Sequence, residues 1–285
     1  MHTRPDVTAG ANPHDVRTIT EEYWSGSTVD DGLIAELEEI VRERLGNWPS
    51  CWEGYHWPGY TWEHTLRVRD LAVTLAQRVG ADAQVVTLAA LLHDIEKSVG
   101  GDHARVGAQT ARSLLEERQF SRGLVEQAVS AIATHAGENS PASPPESLAL
   151  GDADLIDANF GLVGTWRFIT IRAGHGSELE ETIEGIWSWL RRKEEMVHYL
   201  FLPEARKLAI ERVAYSRVFC THAVRALENG RNTGVLSMAR HVNAECARGS
   251  LCEQLPALET IARQSGERSA VAACRRLAEE AAGHA

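Results

Sequence analysis

His93-Asp94 closes the most apolar stretch of the chain, Val85-Val86-Thr87-Leu88-Ala89-Ala90-Leu91-Leu92. A carboxylate entering such an interior must be paired, neutralised or coordinated to a metal. Other candidate ligands stand at His64, His103 and His135, with Asp152 and Asp154 beyond them. The order H…HD…H…H…D can hold one or two divalent ions. Imidazole and carboxylate with no cysteine nearby favour Mn²⁺, Fe²⁺, Co²⁺ or Zn²⁺ over soft-metal chemistry, and Mg²⁺ completes the set expected here. Such a site suits hydrolysis. A bound ion lowers the pKa of its water and polarises a phosphoryl oxygen, and two ions about 3.5–4 Å apart clamp the attacking and leaving oxygens.

On a helix, side chains three and four apart share a face. His64 therefore lies with Arg67, and His93 with Glu96 and Lys97. From that adjacency alone, Lys97 and Arg67 are assigned to the non-bridging phosphate oxygens, beside Asp94 in the catalytic group. His135 continues the inward Ala128–Ala131–Ile132 face of its helix.

Helices must position these side chains. Leu33, Ile34, Leu37, Ile40, Val41 and Leu45 recur at helical spacing, and Gly46 and Pro49 end that first helix. Trp48, Trp52, Tyr55, Trp57, Tyr60 and Trp62 follow in a loop that packs on the core or walls a pocket; packing is the preferred reading. His56 lies within it. Helices are predicted over 61–80, over 83–97 (apolar on nearly all sides and so central), over 103–118 behind an Asp102 cap, and over 122–136 behind a Ser121 cap. Pro141, Pro144 and Pro145 make 138–147 a loop. A helix from near Leu148 carries the aspartates. Further helices are predicted over 177–196 and 203–228. Asn229-Gly230 is a break, and 234–284 reads as two or three Ala-rich helices. No strand-period run is long enough for a sheet, so the fold class is all-α.

Four stretches carry a family resemblance: Glu63-His64-Thr65-Leu66-Arg67-Val68, Leu91-Leu92-His93-Asp94-Ile95-Glu96-Lys97, Asp102-His103-Ala104 and Gly151-Asp152-Ala153-Asp154-Leu155-Ile156-Asp157-Ala158. Together they resemble the HD superfamily of metal-dependent phosphohydrolases, and most nearly its small bacterial members that act on nucleotides. The resemblance covers about 35–228. It implies an HD-domain helical bundle in which His64, His93, Asp94 and one aspartate of the 152/154 pair hold the first ion. Asp154 is preferred, since the family ligand follows an Ala and precedes the helix interior. Asp152 is then an N-terminal helix residue favoured by the dipole. His103 and His135 match the two extra histidines of binuclear members.

The organisation read from the chain is a flexible tail over 1–30, the metal-dependent domain over 31–228 and a C-terminal helical extension over 229–285. The Ala-rich extension has three open roles: pairing in a homodimer, covering the site, or neither. With 285 residues, 44% hydrophobic and 24% charged, the composition is that of a globular protein. A net charge of -11 argues against a broad phosphate-backbone footprint, so long nucleic acid is not an expected partner. Cys51, Cys220, Cys246, Cys252 and Cys274 are odd in number and form no C-x-x-C pair, which points to reduced thiols. Met1 to Asp15 lacks an apolar signal core, and no apolar run approaches the length of a membrane span. A cytoplasmic location and no membrane partner are expected.

The leading expectation is an enzyme, a metal-dependent phosphohydrolase cleaving a phosphoester or phosphoanhydride of a small phosphorylated metabolite, nucleotides first. One alternative is an HD-fold mixed-valent di-iron oxygenase that cleaves a C–C or C–P bond with dioxygen, for which Tyr60 and Glu63 are candidate contributors. Another is a non-catalytic sensor or scaffold with a structural metal.

Overall fold

A computed structural model describes residues 31–46, 55–245 and 250–283. The expected tail over 1–30 lies outside the described residues, as do Trp48, Trp52, Cys51 and Cys246. Thirteen α-helices fill the described residues, with no strand among them. They are α1 (Asp31–Gly46), α2 (Pro58–Val79), α3 (Ala83–Leu92), α4 (His103–Glu117), α5 (Arg122–Thr134), α6 (Pro145–Asn159), α7 (Gly161–Gly174), α8 (Leu179–Glu184), α9 (Ile186–Met196), α10 (Pro203–Glu228), α11 (Gly234–Ala244), α12 (Leu251–Ser265) and α13 (Arg268–Ala281). None is long and apolar enough to cross a membrane.

The expected all-round apolarity of α3 makes it the central element. Every residue from Val85 to Leu92 is buried, and α2, α5 and α6 pack around it. The Asp82 carboxylate caps the amides of Gln84 and Val85, and the anticipated caps Asp102 and Ser121 start α4 and α5. Trp57 and Tyr60 of the aromatic stretch are core residues, while Tyr55 is exposed.

Three expectations are corrected. The helix predicted over 83–97 ends at Leu92, because the His93 ring donates from Nδ1 to the Ala90 carbonyl at 2.6 Å and takes an acceptor the next helical turn would use. The stretch 177–196 is two helices joined at Gly185, and α7, over residues left unassigned by periodicity, is a full helix. Its start is disguised by Gly161, whose φ of 82° and contact with the Glu280 carboxylate leave no room for a side chain.

The third correction concerns the C-terminal extension, which is not an appendage. Its helices α11 and α13 pack on α7, α12 packs on both of them and meets α2, and α11 also meets α10. Glu280, fully buried on α13, accepts the Val163 amide at 3.0 Å, and Trp166 Nε1 donates to Gln254 Oε1 at 3.1 Å. The amides of Leu251 and Cys252 bond the Glu63 carboxylate on α2, one residue before His64. A single hydrophobic core runs through both parts, so no packing boundary falls at 228/229.

Candidate metal centre

Five helices deliver the sequence-predicted ligands to one buried place. His64 comes from the middle of α2, His93 and Asp94 from the turn after α3, His103 from the first position of α4, His135 from the end of α5 and Asp154 from α6. Two donor groups form and share Asp94: His64, His93 and Asp94, then Asp94, His103 and His135. Within each group the ligand atoms lie within 4.8 Å of one another. Asp154 Oδ1 joins the first group at 3.1 Å from His64 Nε2. The Asp154 side chain is 24% exposed, so this edge is where the centre opens.

The imidazoles are preset as ligands. His93 and His135 sit just past helix ends, and each donates from Nδ1 to the carbonyl three residues back, at 2.6 Å in both cases. His64 Nδ1 faces Asp157 Oδ2 at 2.7 Å. Fixing the proton on Nδ1 turns Nε2, with its lone pair, to the centre. There His64 Nε2, His93 Nε2, His135 Nε2 and Asp94 Oδ2 are buried without a hydrogen-bond partner. Buried polar atoms are nearly always satisfied, and four orphaned acceptors facing one another fit a divalent cation between them.

Charges follow the same logic. Burial holds His93 down at about 4, so it stays a neutral donor. Burial opposes ionisation of Asp94, but Lys97 and the histidines outweigh it and keep the carboxyl below its ordinary range. Asp154 is kept low likewise, by His64 against its burial. Burial alone would depress His64, yet Asp154 and Asp157 on its two sides hold it above its ordinary value. Ionised carboxylates with a neutral imidazole are what a divalent ion needs.

Asp157 is the functional residue that sequence reasoning passed over, although it stands three residues from Asp154 on the same helical face. It also accepts from Arg67, Nε to Oδ1 at 2.8 Å and Nη2 to Oδ2 at 3.0 Å. This corrects the role read for Arg67. With its side chain only 4% exposed and locked on Asp157, it holds the carboxylate that orients His64 and is not presented to a substrate. Tyr60 stacks on His64 with centroids 5.0 Å apart, its hydroxyl 3.2 Å from Nδ1.

The two aspartates differ in their partners. Asp152 accepts the amides of Phe201 at 3.0 Å and Leu202 at 2.7 Å, tying α6 to the start of α10, and burial pushes it up to about 6. Lys97 does reach the centre, with Nζ 3.1 Å from Asp94 Oδ1 and 2.9 Å from His103 Nε2. A cation thus already sits in the second donor group. Glu96, buried one residue earlier, binds Arg44 of α1 at 2.6 and 2.8 Å and Thr110 of α4 at 2.7 Å, bracing the His93-Asp94 turn.

A helical bundle here brings imidazoles and carboxylates from five helices to one buried centre, four of whose atoms lack partners. Residues 61–159 match the HD domain model, which spans all five helices in whole or part and every ligand named. Over those residues the chain carries an HD domain. It is similar to Ribonuclease Y of Sulfurovum sp. (strain NBC37-1), 35% identical over 145 residues, covering 49% of this chain and 26% of that protein. It is also similar to Ribonuclease Y of Cutibacterium acnes (strain DSM 16379 / KPA171202), 35% identical over 101 residues, covering 34% of this chain and 17% of that one. The match thus spans about a quarter or less of these relatives' length. Among solved structures, Bacillus subtilis YpgQ in complex with ADP shares the fold, with TM-score 0.50 and 22% identity over 69% of this chain and 97% of that one.

Proposed function

We propose that this protein hydrolyses a phosphoester or phosphoanhydride bond of a nucleotide-type substrate at a centre of one or two divalent ions. The observation that carries the reading is the set of four buried, partnerless atoms on His64, His93, His135 and Asp94. A divalent ion held there would supply an activated water and polarise the phosphoryl oxygen. The chain's own contributions are of three kinds. Asp157 and the helix-end carbonyls fix the imidazole tautomers. Asp94, shared by both donor groups, sets their spacing. Lys97 keeps a positive charge beside Asp94 where phosphoryl oxygens must enter.

Support for the substrate class is of two kinds. The Ribonuclease Y matches favour a phosphodiester of RNA as a second reading. The net charge of -11 favours a short substrate, a nucleotide or a brief oligonucleotide, over a long polyanion. The unbridged Cys220, Cys252 and Cys274 are in keeping with a cytoplasmic setting.

Elemental analysis of the purified chain, with a release screen over nucleotides and short oligoribonucleotides in Mn²⁺, Co²⁺ or Mg²⁺, tests the proposal. Bound divalent metal and turnover are expected, and Asp94→Ala is expected to lose both. Two irons per chain with oxygen uptake and no phosphoryl release would instead support the di-iron oxygenase.

A further inference from the structure

Beyond the donor set, two more buried atoms beside the centre lack partners, His56 Nδ1 and Arg167 Nε. Both residues surround Tyr60, the ring stacked on His64. The His56 ring lies 5.7 Å from Tyr60 and 6.4 Å from His64, and the Arg167 guanidinium carbon sits 4.8 Å over the Tyr60 ring. Arg167 otherwise donates only to neutral oxygens, the carbonyls of Ala158 at 3.2 Å and Tyr55 at 2.9 Å. Next to it, Lys193 of α9 donates to Asn159 Oδ1 at 2.6 Å, contacts Met196 Sδ at 3.5 Å and lies 5.8 Å from the Trp189 ring centre.

Two partly buried cations thus converge on consecutive residues, Ala158 and Asn159, and among the described residues neither has a carboxylate within ion-pair distance. The last turn of α6 offers them only about half a negative charge, well short of two full positive ones. Cations taken from water need a counter-charge. Ala158 lies four residues past Asp154, one turn along the same face of α6, so the unmatched charge borders the open edge of the metal centre.

We propose that Arg167, Lys193 and His56 form an anion subsite that binds a second phosphoryl group of the substrate, one turn of α6 away from the group being cleaved. The inference rests on the phosphohydrolase reading and narrows it. The preferred substrate carries at least two phosphoryl groups, as in a nucleoside diphosphate or a 5′-phosphorylated oligonucleotide. Arg167 offers Nε–H, His56 one ring nitrogen and Lys193 its ammonium, a charge-assisted set suited to a tetrahedral oxyanion.

The test compares binding of imidodiphosphate, which resists hydrolysis, with binding of orthophosphate to the metal-loaded full chain by calorimetry. The wild type is expected to prefer imidodiphosphate. Arg167→Gln and Lys193→Met are each expected to cut that preference roughly tenfold or more. Arg172→Gln removes an exposed charge from the same helix and is expected to leave it intact. An unchanged preference in both rim variants would overturn the subsite, as would an equal loss in Arg172→Gln. If circular dichroism shows Arg167→Gln misfolded, Lys193→Met and His56→Ala decide. A wild type that prefers imidodiphosphate in the way described but turns over no phosphorylated compound would leave the subsite standing and remove the hydrolase reading.

Discussion

Replacing Asp157 separates the two duties of the carboxylate behind His64. It faces His64 Nδ1 at 2.7 Å and receives both Arg67 bonds, with every group buried. Asp157→Ala leaves the buried Arg67 charge with only its longer 3.7 Å contact to Glu63, and losing the close pair costs about 3–5 kcal/mol. At roughly 2–4 °C per kcal/mol for a chain of this size, melting should fall by about 6–20 °C. The same change frees the His64 ring, and loss of such an orienting partner weakens metal binding about 10–100-fold. The paired variant Arg67→Met/Asp157→Leu tells the effects apart. With no orphan charge it should recover stability relative to Asp157→Ala, while metal affinity stays low because His64 still lacks its acceptor. The assays are urea denaturation and isothermal titration with Mn²⁺. Metal affinity within twofold of wild type in Asp157→Ala, or regained together with stability in the pair, would refute the orienting role.

Two further predictions follow from partners and charge. Asp154→Asn should lose most of the bound metal by elemental analysis, whereas Asp152→Asn should keep it and instead loosen the α6–α10 junction, visible as a lower melting temperature; the opposite pattern would reverse the ligand assignment. Burial first, then the charges of Arg167 and Arg192, brings Lys193 from its usual 10.5 down to about 8. The unfolded chain therefore binds this proton more readily than the folded one, and stability should rise with pH between about 8 and 10.5. Lys193→Met should be more stable than wild type by about 1–3 kcal/mol below pH 8, with the gain vanishing near pH 10.5. Denaturation curves of equal pH slope for the two proteins would count against it.

Much of the centre was legible because ligand chemistry restricts residue types and helices restrict spacing. The buried run into His93-Asp94, the caps Asp102 and Ser121 and the inward face of His135 each stand where the sequence reading put them. Arg67 misled because adjacency to His64 on α2 says which face it shares, and not that its partner lies 90 residues away on α6. The extension misled because the Ala-rich pattern of α13 hides one buried glutamate that caps α7.

By itself, the sequence determined an all-helical fold and the types of side chain that meet at the centre, since periodicity and side-chain chemistry are local properties. The tertiary structure alone decided which aspartate turns inward. Asp152 and Asp154 are two positions apart and face opposite ways on one helix, and the amides of Phe201 and Leu202 claim the first and leave the second for the centre. It also decided where charge is left over, because a cation's counter-ion is set by what folding brings near it and not by its neighbours along the chain.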